Sequence, residues 1–176
     1  MLLALAAAAC APTAPAPVVA PRAEDRFLID PRTGYAQQVA PAVAKRFDAA
    51  WAAFNAGNLA DARRRLADLR TRDAAYTPLA LLEAAIALRE GDVPAARAIV
   101  DRIQPSYLAS QVYDAEVAIA EKRTRRAFEI YRELAARADA PPAAAERFAE
   151  LQTAMFDDLY RAALTAPDEE AVVRLR

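Results

Sequence analysis

Few side chains in this sequence could carry covalent or acid–base chemistry. It has no histidine, one cysteine (Cys10) and two serines (Ser106 and Ser110). A Ser–His or Cys–His nucleophilic pair therefore cannot be built, nor a zinc site of histidine and cysteine ligands. Gly34, Gly57 and Gly91 lie more than 20 residues from one another, so there is no glycine-rich phosphate loop. Carboxylates are plentiful, but Asp61–Arg65 and Asp68–Arg72 stand at i, i+4, the spacing of charge pairs on a solvated helix face. The chemistry left open is modification of Cys10 and recognition by side chains such as Trp51. No catalytic residue, cofactor or metal is expected.

The elements that must position these residues are helical. Hydrophobic residues make up 56 % of the 176-residue chain and aromatics only 7 %, because the excess is alanine. Alanine has the highest helix propensity and lets helices approach closely. Prolines cluster before residue 42 or fall between apolar-periodic runs, which marks an all-α chain. A net charge of −1, from 23 basic against 24 acidic residues, argues against nucleic acid as a partner.

A repeat is visible inside the helical region. Gly57 and Gly91 are 34 residues apart, and that shift lays Ala50 on Ala84, Ala53 on Ala87, Ala62 on Ala96 and Leu66 on Val100. A third block follows after 31 residues, with Ala115, Ala118, Ala127, Tyr131 and Leu134. Matched small and apolar positions at a fixed period mark a repeat array. The periodicity predicts helices from about 42 to Gly57, 59–72, 78–90, 94–104, 107–121, 124–138 and 143–164, with a further piece opening at Pro167. Domain organisation follows: 1–9 an apolar leader, 10–22 a Pro/Ala-rich tether, 23–41 an arm, and 42–176 the helical domain. Phe27, Leu28, Ile29 and Tyr35 are too apolar for a linker. The arm is expected to pack back on the first hairpin and cover its end, or to serve as a docking strand for a partner.

Two resemblances sharpen this. Met1–Ala9 followed by Cys10 and a Pro/Ala tail resembles the lipobox of a bacterial lipoprotein signal peptide, although Ala7 replaces the preferred leucine and no basic residue precedes the apolar run. The resemblance implies cleavage before Cys10, acylation of that cysteine, and residence in the periplasm on the outer membrane. The helical blocks resemble the tetratricopeptide repeat family over about residues 43–138. Ala50, Ala84 and Ala115 stand at its first-helix small position, and Ala62, Ala96 and Ala127 at its second-helix alanine. Lys122 stands at the interhelix glycine of the third unit, and Glu83 and Asp114 at a position usually leucine.

This second resemblance implies a right-handed superhelix of antiparallel helix hairpins, about three repeats plus a C-terminal helix pair. Its first helices would line a concave groove that binds a protein or peptide. Carried over, the groove holds Phe47, Trp51, Phe54, Asn55, Leu81, Leu88, Arg89, Val112, Glu116 and Ile119. Trp51 is the favoured contact, a rigid amphipathic ring that gives much contact area. Packing as core is the alternative for Phe47, Trp51 and Phe54, and mutual pairing or solvation for Arg89 and Glu116. The positions matching the family's carboxylate clamp hold Phe47, Trp51, Leu82, Ala109 and Tyr113, which supply no cation. The expected function is a membrane-anchored periplasmic adaptor. The alternatives are a self-associating structural module using the 143–176 surface, or an accessory region of a larger protein with further domains beyond Arg176.

Overall fold

A computed structural model describes residues 23–103 and 106–165. The leader 1–9, the tether with Cys10 and the predicted piece 167–176 lie outside the described residues. Among those described the chain forms a short 3-10 helix, Ala23–Phe27, and seven α-helices, with no strand. The helices are α1 (Pro41–Asn55), α2 (Leu59–Asp73), α3 (Thr77–Glu90), α4 (Val93–Ile103), α5 (Leu108–Ala120), α6 (Thr124–Ala135) and α7 (Pro142–Thr165). α1 packs on α2, α3 on α4 and α5 on α6; these pairs meet through α2·α3 and α4·α5, and α7 packs on α6.

Local chemistry sets the ends of the pairs. Within each pair the turn closes in the same way: the N–H groups of Asn58, Asp92 and Arg123 reach the carbonyls of Ala53, Ala87 and Ala118. The N–H groups of Gly57, Gly91 and Lys122 bond the carbonyls of Phe54, Leu88 and Ile119. This is the Schellman cap, which needs a left-handed residue. Gly57 (φ 76°) and Gly91 (φ 84°) provide it freely, and Lys122 adopts it at φ 62°. Asn58 then caps α2 by accepting from the Asp61 N–H at 3.0 Å, and Asp92 accepts from the Ala95 N–H at 3.1 Å.

The repeat positions are core positions. Ala50, Ala84, Ala115, Ala62, Ala96 and Ala127 are all fully buried, and Leu66, Val100 and Tyr131 fill the spaces beside them. Burying each large side chain contributes about 1.5–3 kcal/mol. α5 is buried on two sides: Ala109, Tyr113 and Val117 join the core shared with α1–α4, while Leu108, Val112, Ala115 and Ala118 join the core shared with α6 and α7. A helix packed on both sides is apolar nearly all round, whereas α2 and α6 carry a single inward stripe. The carboxylate of Asp114, at the leucine-type position, is buried yet paired, to Arg97 at 2.7 Å and Arg126 at 2.9 Å. It thereby ties α4 and α6 to α5. Glu83 at the matching place in α3 pairs with Arg70 of α2.

The arm does not cover the open side of the first pair. It contacts that pair through Arg32, which bonds Asp48 at 2.7 Å and lies over the Phe47 ring at 4.7 Å. From there it continues past α5 and α3 to α7, where Arg26 pairs with Glu146 and Glu150. Tyr35 joins it to the helices by ring contacts with Tyr76 at 5.6 Å and Tyr107 at 5.2 Å. Gly34 permits the closest approach: a Cβ there would sit 2.9 Å from the Leu108 Cβ, on a residue whose φ is +80°.

Candidate functional site

The candidate site is the face of α3, α5 and α7 that receives the arm. Three donors on or beside α5 take alternate carbonyls of the arm. The Tyr113 hydroxyl donates to the Ile29 carbonyl at 3.1 Å, the Tyr107 hydroxyl to the Pro31 carbonyl at 3.1 Å, and the Ala109 N–H to the Thr33 carbonyl at 3.0 Å. These contacts read main chain rather than side chains. Burial pushes the Tyr113 phenol well above its ordinary value of 10, so it remains a donor.

Side-chain recognition comes from two arginines. Arg89 of α3, 2 % exposed, pairs through Nε with Asp25 at 2.9 Å. Its Nη1 donates to the Phe54 carbonyl, and its guanidinium lies over the Phe54 ring at 3.7 Å. Arg147 of α7 grips Glu116 of α5 with two parallel bonds of 3.0 and 3.1 Å, and Tyr131 donates to the same carboxylate at 2.7 Å. Such forked pairing is the strong form of charge-assisted bonding. Burial nevertheless outweighs these partners and raises the Glu116 pKa above its ordinary 4.5. The Arg147 guanidinium also covers Phe27 of the arm, 4.3 Å from the ring centroid.

Beside the seated arm a half-open pocket of about 300 Å³ remains. Leu28, Leu88, Ile119 and Ala120 give it apolar walls, and Asp25, Glu116 and Arg147 give it a polar side. The groove residues expected from sequence are distributed around this arrangement. Arg89 and Glu116 flank the arm, each engaged by its own partner rather than by the other. Phe47, Leu81 and Val112 are core, with no more than 1 % of their surface exposed, and Phe54 is core too. Trp51 is half-buried and stacks on Phe54 with centroids 5.1 Å apart, and Asn55 is exposed at the end of α1. Cys10 lies outside the described residues.

Three residues of this face escaped the sequence reading, Asp25, Tyr107 and Arg147, and Tyr113 was noted only as a clamp position that supplies no cation. Arg147 had left a signal. It shares the buried stripe of α7 with Ala144 and Leu151 at i, i+3, i+7 spacing, and an arginine in an apolar register requires a buried acid.

What the fold defines is an all-helical chain of packed helix pairs carrying a built-in segment on one face. Comparison with protein-family models, with curated proteins and with solved structures finds no match to this chain. Among the described residues no group of three His, Cys, Asp or Glu side chains is placed to hold a metal ion, and no helix is long and apolar enough to cross a membrane.

Proposed function

We propose that this protein is a tethered protein–protein adaptor of tetratricopeptide type, held in the bacterial envelope through a lipidated Cys10. In this reading the helix pairs step along a right-handed superhelix. The face that seats the arm is its concave side, and a segment of a partner protein binds there beside the arm. The observation that carries the proposal is the half-open pocket left beside the arm, since the donors on Tyr107, Ala109 and Tyr113 are already taken by the arm's own carbonyls. The pocket walled by Leu88 and Ile119 offers the neighbouring space for apolar side chains.

A photo-crosslinking residue at Ile119 tests this in intact envelopes. The expected result is a discrete adduct that the same residue at Arg132, exposed on α6, does not form. Absence of an adduct at 119, or the same adducts at both positions, overturns the adaptor reading. The anchor is tested separately: Cys10→Ser is expected to release the chain into the soluble fraction, and unchanged membrane retention removes the lipid from the account.

The self-association reading is also favoured by one observation. Phe156, Leu159, Tyr160 and Leu164 leave 45–68 % of their surface exposed on the second half of α7.

A further inference from the structure

Two open surfaces lie at opposite ends of the succession of helix pairs. The first is a cleft of about 610 Å³ between α1 and α2. Ala42, Ala49 and the alkyl stems of its basic residues floor it. Lys45, Arg46, Arg64 and Arg65 rim it, with Asp68 as the one carboxylate. Arg64 and Arg65 share Asp61, and Lys45 and Arg46 form no ion pair among the described residues. These positions lie on the sides of α1 and α2 away from the buried Phe47, Ala50, Phe54, Leu66 and Leu69, so the cleft faces outward from the first pair. The arm leaves it open.

The second surface is the far half of α7. At 24 residues α7 is twice as long as α6, which has 12, so α6 can back only part of it. Phe156, Tyr160 and Leu164 recur at i, i+4, i+8, on the side of the helix away from Ala144 and Leu151. Beside them stands Asp157; Asp158, seven residues on from Leu151, lies on the opposite side of the helix and pairs with Arg161 at 3.7 Å.

We propose that copies of this chain join head to tail, the α7 stripe of one copy seating in the α1–α2 cleft of the next. The apolar stripe meets the alanine floor, and Asp157 approaches the cationic rim. Two basic clefts repel, so the cleft does not pair with a copy of itself. A head-to-tail contact is heterologous, so each added copy carries one used and one unused surface. This inference rests on the self-association reading.

The test uses the full chain and two double variants at exposed positions. The tail variant is Phe156→Glu with Leu164→Glu; the head variant is Lys45→Glu with Arg64→Glu. Sedimentation velocity over a concentration series is expected to show wild-type mass growing past that of a dimer, less so at high salt. Each variant alone is expected to stay monomeric. An equimolar mixture is expected to form a 1:1 dimer and nothing larger, because one intact tail and one intact head remain to pair. If the wild type is monomeric throughout, this proposal and the self-association reading both fall. If the wild type associates but the head variant still dimerises alone, or the mixture stays monomeric, only the head-to-tail contact is overturned.

Discussion

Arg89 of α3 and Asp25 of the N-terminal arm form a buried ion pair, with Nε 2.9 Å from the carboxylate. The pair holds the arm against a helix from the middle of the chain, and Arg89 carries the contact onward to the last residues of α1 through the Phe54 carbonyl and ring. Removing one member takes a charged partner from a buried group, at a cost of about 3 kcal/mol, whereas replacing both with apolar residues is close to neutral. Asp25→Ala is therefore expected to lower unfolding stability by about 3 kcal/mol in urea titrations. The double substitution Asp25→Leu/Arg89→Met is expected to recover most of that loss; no recovery would mean that the arm is held elsewhere.

Trp51 should report on the same contact. It stacks on Phe54, whose ring also carries the Arg89 guanidinium. The chain has one tryptophan, so its emission is unambiguous. Quenching by acrylamide is expected to be intermediate in the wild type and to increase in Asp25→Ala. Equal quenching in the two would show that the arm does not communicate with α1.

Gly34 sets how closely the arm can approach α5. An alanine there meets Leu108 at 2.9 Å and takes on a left-handed φ. The conformational penalty alone is about 1–2 kcal/mol. Gly34→Ala is expected to destabilise by at least that much and to speed hydrogen exchange at the Ala109 N–H, which bonds the Thr33 carbonyl. Unchanged exchange at Ala109 would show that α5 tolerates the added methyl.

Lys122 adopts the conformation that Gly57 and Gly91 adopt without strain. Lys122→Gly relieves the left-handed penalty and loses some of the gain to the more flexible unfolded chain, leaving ~0.5–1 kcal/mol of stabilisation. Thermal unfolding is expected to shift upward by about 2 °C. A downward shift would mean that the lysine side chain contributes more than its backbone costs.

Glu116 has its pKa raised in the folded protein, burial outweighing Arg147 and Tyr131. Between the unfolded value of 4.5 and the raised folded one, the native state binds more proton than the unfolded state. Stability from this group is thus present below about pH 4.5 and lost as pH rises through the folded value. Measured against Glu116→Gln, which cannot ionise, the wild type is expected to become relatively less stable from pH 4 to 7. The opposite slope would show that Arg147 dominates.

The helices and their pairing order were legible in the sequence, and their ends to within a few residues, α6 stopping at Ala135 rather than 138, because the signals behind them are local. Alanine spacing, proline at the first turns and the left-handed cap positions act over one or two turns of chain. Lys122 stood in register with two glycines in the sequence, but that it takes the same left-handed cap conformation is seen only in the structure. The arm's course was not legible. Its anchors, Arg89, Tyr113 and Arg147, come from three helices far apart in sequence, and each buried partner is chosen only once those helices are packed. For the same reason Phe47, Leu81 and Val112 sit at groove positions of a repeat pattern yet are core here. The sequence by itself determined which segments coil and which faces are apolar. Tertiary structure alone decided which of those faces the chain covers with its own arm, and that, among the described residues, nothing packs over the α1–α2 cleft or the far end of α7.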